Sequence, residues 1–241
     1  MRCGYASDIG LVRDENQDKV EAREFGSCIL AVVCDGMGGE KSGSQASEIA
    51  MRELFDRFTT GYQPGLPPDE IRALLLSSIS AANSVIYTTA RMDFKCNGMG
   101  TTCVAAFVEP GWISLVNVGD SRAYLVEGGG IRQLTRDHTV VNMLLEQGKI
   151  TPEEMKRHPQ RNMLTRAVGV ERVVKPDYFR IPYEEEFLLL LCSDGLSGCC
   201  NEGEILKTIR SAPFEELPQK LVDLALNKGG RDNISLAIVT N

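Results

Sequence analysis

The stretch "LAVVCDGMGG", Leu30 to Gly39, drives an apolar, β-branched run into Asp35 and packs Gly36, Gly38 and Gly39 closely behind it. The run reads as a buried strand. A carboxylate at the end of such a strand is costly unless something pairs with it, because a buried charge loses its hydration. Either a partner sits there or Asp35 lies in a surface loop. The same construction recurs in "LLLCSDGLSG", Leu189 to Gly198, which ends on Asp194. Asp232, in "GGRDNISLAIV", immediately precedes the last strand-like run, and Asp120, in "VNVGDSRAYLV", stands between two others. Any one of these aspartates is more often a plain turn residue. Taken together, four strand-end aspartates form a pattern: if the ends converge, the carboxylates repel unless a cation is present. A hard divalent ion such as Mg²⁺ or Mn²⁺ prefers oxygen ligands. The glycine after each Asp lets the backbone turn and its carbonyl approach a metal unhindered.

Strand-like segments occur at Ile29–Cys34, Thr102–Val108, Ile113–Val118, Ala123–Val126, Phe187–Cys192 and Ile234–Val239. Gly128–Gly130 reads as a hairpin turn. Helical periodicity predicts consecutive, antiparallel helices at Ser44–Phe58 and Pro68–Ala90, with further helices at Asp137–Gln147, Thr151–His158, Glu202–Arg210 and Phe214–Asn227. Thr151-Pro152-Glu153-Glu154 carries an N-cap, a first-turn proline and first-turn acid. The order favours a mixed α/β chain of α+β type, with a largely antiparallel sheet system covered by helices. No linker or repeat divides residues 1–241, so one domain is expected.

The charge of −7 leaves no basic stripe for nucleic acid and no polybasic membrane anchor, and the longest apolar runs are too short to span a bilayer. The N-terminus lacks a signal-like apolar region, so a cytoplasmic location is expected. The eight cysteines are read as reduced; with no CxxC pair and two histidines, a zinc site with normal spacing is excluded. Adjacent Cys199 and Cys200 receive no role. "GMGGEKSG" fails the phosphate-loop pattern, because Glu40 stands where glycine is needed before Lys41. There is no thiolate-phosphatase nucleophile setting and no GxSxG elbow, so covalent catalysis is unsupported.

These residues resemble the metal-dependent serine/threonine protein phosphatases of type 2C, the PPM family, in its compact bacterial form. The resemblance runs in order through "SDIGLVRDENQD" (Ser7–Asp18), "DGMGGEKSGSQAS" (Asp35–Ser47), "GMGTT" (Gly98–Thr102), "VGDSRAYLV" (Val118–Val126), "LTRDHTVVNMLLEQGKIT" (Leu134–Thr151), "HPQRNMLTRAVG" (His158–Gly169), "LLLCSDGLSG" and "GGRDNISLAIV". It implies two packed, mainly antiparallel sheets forming a sandwich with helices on both outer faces, a two-ion Mn²⁺ or Mg²⁺ site at one end, and a helical flap at about residues 135–169. It implies that Asp35 bridges two ions, that the Gly36 carbonyl binds one, and that Asp194 and Asp232 hold the other. Asp120 would hold a third, looser ion shared with Asp194. Asp18 and Gln17 would hold metal waters, and Arg13 would clamp the phosphoryl group through its fork of donors.

The implied function is hydrolysis of phosphoserine and phosphothreonine in proteins by a metal-activated water, opposing a serine/threonine kinase, with a monomer as the default state. Two positions depart from the family's animal members. Met37 replaces a histidine that would act as general acid, so a metal-bound water could serve instead. Gln17 replaces a carboxylate. His138 and His158, in the flap region, are read as capping or packing residues. The same core would also suit another phosphate ester. A non-catalytic binding module would be marked by lost ligands, yet Asp35, Asp194 and Asp232 are all present.

Overall fold

The computed structural model describes residues 1–39, 42–183 and 186–241. Glu40 and Lys41, which break the phosphate-loop pattern, lie outside the described residues. The elements run β1 (Arg2–Asp8), β2 (Asp18–Phe25), β3 (Cys28–Met37), α1 (Ser42–Gly61), α2 (Pro68–Met92), β4 (Gly100–Thr101), β5 (Cys103–Glu109), β6 (Trp112–Val118), β7 (Arg122–Glu127) and β8 (Gly130–Gln133). They continue with α3 (Val140–Glu146), α4 (Pro152–Arg157), β9 (Asp177–Pro182), β10 (Phe187–Cys192), α5 (Asp194–Ser197), α6 (Glu202–Ile209), α7 (Leu217–Asn227) and β11 (Ile234–Thr240).

One sheet has the order β1-β11-β10-β7-β8 and the other β2-β3-β5-β6-β9, with β4 paired to β3 and every pairing antiparallel. The sheets stack face to face between helices. Ile29, Ala31 and Val33 of β3 point into the inter-sheet core with Leu189, Leu191, Ala237 and Val239. The alternate residues Leu30, Val32 and Cys34 face α1 and α2. On the far side, Leu188, Leu190, Leu236 and Ile238 meet α6 and α7. Central strands are thus buried on both faces, which is why they read as unbroken apolar runs. Each such leucine or isoleucine contributes roughly 1.5–3 kcal/mol of burial. Helix α2 has a membrane-spanning length and hydropathy, but Ile71, Leu75, Ile79 and Ile86 are fully or almost fully buried in the core.

All six expected strands form. The unanticipated β1, β2 and β9 are edge strands, half-exposed and interleaved with charge, so neither an apolar run nor a clean alternation marks them. Glu127 pairs with Gly130, and Gly128 and Gly129 turn between them at φ 54° and 80°, a conformation glycine alone adopts readily. The helix expected at Asp137–Gln147 begins later, at Val140. Asp137 is taken by Arg122 at 2.6 Å, and Thr139 supplies the cap, accepting from the Asn142 amide. Similarly, Phe214–Glu216 forms a separate 3-10 turn ahead of α7. The Thr151 capping box is present as expected.

Candidate active site

Asp35 stands near the end of β3, opposite Asp18 at the start of β2. Asp120 lies in the crossing from β6 of one sheet to β7 of the other, Asp194 opens α5 just beyond β10, and Asp232 precedes β11. The antiparallel order brings these strand ends together. A cleft of about 610 Å³ is lined by Asp35, Gly36, Asp120, Asp194, Asp232, Gln17 and Arg13, with Met37, Asn162 and Leu164 at its side. Asp18 is not on the cleft wall. It is buried beneath it, accepting from Ser193 Oγ at 2.7 Å.

Burial pushes the Asp35 carboxyl well above the usual range, Asp18 and Asp120 each up to about 7, and Asp194 up to about 6. In each case neighbouring carboxylates add to the rise. Arg13, exposed on the β1–β2 loop, donates to Asp232 Oδ2 at 2.7 Å rather than standing free over the cleft. Mutually repelling carboxylates with this little compensation fit a site that takes cations.

The donors fit a hard ion, being oxygens with no histidine or cysteine among the cleft-lining residues. Among the described residues no three His, Cys, Asp or Glu side chains form a ready-made cage. An open cleft of carboxylates suits an ion that keeps several waters. The backbone at Gly36 has no room for a side chain: a Cβ there would sit 2.1 Å from the Gly43 carbonyl oxygen and 2.6 Å from that of Gln17.

A set of polar residues that sequence reasoning did not single out fixes this geometry. Thr102 Oγ1 accepts from the Asp35 amide at 2.9 Å and bonds Ser121 Oγ at 2.7 Å, while Thr101 Oγ1 donates to the Asp35 carbonyl at 2.8 Å. Asn233 accepts from the Gln17 amide at 2.8 Å and donates to the Ile9 and Glu15 carbonyls at 2.9 Å each. It staples the Arg13 loop to the start of β11. The threonines lie inside the quoted "GMGTT", and Asn233 directly follows Asp232, so position was their only sequence signal. His138 supports rather than lines the cleft: Nδ1 accepts from the Gly119 amide at 3.1 Å, and Nε2 faces Asp177 Oδ2 at 3.2 Å. His158 ends α4, accepting from the Gln160 amide.

The antiparallel, helix-covered sandwich gathers aspartates at one end, the oxygen donor set on which a two-metal hydrolase relies. The family model described as protein phosphatase 2C matches residues 12–233, and the chain belongs to that family. Among its relatives is the serine/threonine phosphatase Stp of Listeria welshimeri, 39% identical over 99% of this chain and 95% of that protein. The crystal structure of the Mycobacterium tuberculosis serine/threonine phosphatase PstP superposes with a TM-score of 0.89 at 35% identity, covering 98% of this chain and 97% of that one. A structure of the catalytic domain of PstP in complex with two manganese ions is 33% identical, with a TM-score of 0.85 over 98% of this chain and 96% of that one.

Proposed function

We propose that residues 1–241 act as one catalytic unit that removes phosphate from phosphoserine and phosphothreonine in proteins, with residues 135–169 as a flap. The observation that carries this reading is the convergence of Asp35, Asp120, Asp194 and Asp232, with Arg13, on one cleft. Asp35, the Gly36 carbonyl, Asp194 and Asp232 would hold two divalent ions, Mn²⁺ or Mg²⁺, in keeping with the two manganese ions of the PstP complex. Asp120 with Asp194 would hold a third. Such ions make water acidic enough to be a nucleophile near neutral pH and neutralise phosphoryl charge.

Asp18 and Gln17 would orient the waters from below and beside the floor. Arg13 holds its guanidinium at Asp232 in the cleft. Transferring donors to two phosphoryl oxygens would orient the ester for in-line attack. Thr101, Thr102 and Ser121 keep the Asp35 backbone fixed, so the floor is set before substrate arrives. Met37 moves no proton, so the leaving alkoxide takes its proton from solvent-derived water.

The partners of this reading are phosphorylated proteins and an opposing serine/threonine kinase, with no nucleic acid and no membrane, and the protein works as a monomer in the cytoplasm. Phosphate release from a phosphothreonine peptide, measured with Mn²⁺, with Mg²⁺ and with excess chelator, tests the reaction. Metal-dependent release is expected; no release with either ion would overturn it.

A further inference from the structure

Beside the catalytic cleft lies a second, of about 860 Å³, sharing Asp120, Asn162 and Asp194 with it and lined further by Cys199, Cys200, Met155 and Lys228. The Cys199 and Cys200 Sγ atoms are 3.5 Å apart. Cys199 is exposed and Cys200 buried. The two thiols share a hydrogen bond, which with the Cys199 backbone and Lys228 pulls the Cys199 thiol down to about 7, whereas Cys200 is pushed up; the Cys199 thiol also reaches the Gly195 carbonyl at 3.1 Å. The arrangement places one exposed thiol at the cleft wall with a second thiol directly behind it, the geometry of an attacking and a resolving cysteine.

We infer that Cys199 and Cys200 form a reversible oxidation site that hydrogen peroxide closes into a vicinal disulfide, switching off the adjoining catalytic cleft. The Cys199 thiolate attacks one peroxide oxygen, forming an S–O bond as the O–O bond breaks. The departing hydroxide is protonated to water. Cys200 then attacks the sulfenyl sulfur, the S–S bond forms as S–O breaks, and its proton leaves with hydroxide as a second water. Two thiols are oxidised and one peroxide is reduced.

The ring is tight, since adjacent Cα atoms are held about 3.8 Å apart by a trans peptide, well below the roughly 5.5–6 Å that a relaxed disulfide prefers. Such bonds are readily reduced, which suits a switch. The strain falls on the turn that follows α5. The Cys199 and Cys200 amides both donate to the Leu196 carbonyl, and the Gly198 amide donates to that of Asp194 at 2.6 Å. Disturbing this turn moves Asp194, so the loss of turnover rests on the phosphatase reading, while the thiol chemistry does not. A second close pair, Cys34 and Cys103, is fully buried between β3 and β5 and serves as an internal comparison.

The test treats the chelated protein with hydrogen peroxide, desalts it, maps its peptides by mass spectrometry, and then assays it with fresh Mn²⁺ before and after dithiothreitol. A Cys199–Cys200 linkage lacking two hydrogens, free Cys34 and Cys103, and lost turnover regained with dithiothreitol are expected. Cys199→Ser should keep its turnover through the treatment, and Cys200→Ser should stop at the sulfenic acid, trapped by dimedone. Absence of the linked peptide would overturn the site. Equal peroxide inhibition of Cys199→Ser would overturn the switch. Untreated protein without turnover would count against the phosphatase reading alone, and the linked peptide would still decide the thiol chemistry.

Discussion

Asn233→Ala separates the scaffold of the site from its ligands. The side chain is 6% exposed and makes three hydrogen bonds, to the Gln17 amide and to the Ile9 and Glu15 carbonyls. At a net value of about 1 kcal/mol for each bond, alanine costs about 3 kcal/mol. For a chain of this size that lowers Tm by roughly 6–12 °C. The loosened segment, residues 9–17, carries Arg13 and Gln17, and among its contacts to the β11 side it keeps the Leu11 amide on the Gly230 carbonyl at 2.7 Å and Arg13 on Asp232. KM for a phosphothreonine peptide should therefore rise well beyond any fall in kcat, because Arg13 loses its fixed position while the Asp35 floor, held by Thr101 and Thr102, does not. Asn233→Asp should not rescue, since a second oxygen would then face two carbonyls. Thermal unfolding by circular dichroism and peptide kinetics at saturating Mn²⁺ are the assays. A Tm change under about 2 °C together with an unchanged KM would refute the staple.

Asp35→Asn should abolish turnover while keeping the far-ultraviolet spectrum, since the Asp35 carboxyl is itself pushed toward its neutral form; activity equal to the parent at saturating Mn²⁺ would sink the assignment. Gly36→Ala should lower both Tm and turnover, because the added methyl meets two backbone carbonyl oxygens, those of Gly43 and Gln17, that cannot yield without moving α1 and the loop before β2, at a cost of about 1–3 kcal/mol. The control is Gly39→Ala, where no atom of the described residues lies within 4 Å of an added Cβ. Burial lowers His138 from 6.5, against the opposing pull of Asp177. The unfolded chain then binds its proton first, so this residue's contribution to stability is present above pH 6.5 and is lost as pH falls below it. His138→Gln should flatten the Tm-against-pH curve there, and an unchanged slope would count against the pairing.

Asp35, Asp120, Asp194 and Asp232 were legible because each breaks or borders an apolar run, and those runs are apolar on both faces only because helices cover both sheets. Edge strands β1, β2 and β9 left no such mark. Thr101, Thr102, Ser121 and Asn233 were illegible as site residues for a different reason: hydroxyls and amides are ordinary near strand ends, and their meaning lies in which backbone group they reach. Asp18 was singled out only through the family resemblance, as a holder of metal waters; the structure buries it beneath the cleft with Ser193 Oγ donating to it at 2.7 Å.

The strand order itself turns these scattered residues into one site. Antiparallel pairing of β10 with β11 sets Cys192 opposite Leu236, so the end of one strand and the start of the other share an edge, and Asp194 comes beside Asp232 although 37 residues separate them. Pairing of β2 with β3 sets Asp18 opposite Asp35 on the other sheet, and the β6–β7 crossing carries Asp120 between the two. A slip of one residue in either pairing would exchange the core and helix faces of β3 or β10, burying polar atoms in an apolar layer. The alternation that builds the core therefore also fixes the register that gathers the carboxylates, and folding correctly and assembling the carboxylate cluster are set by the same pairings.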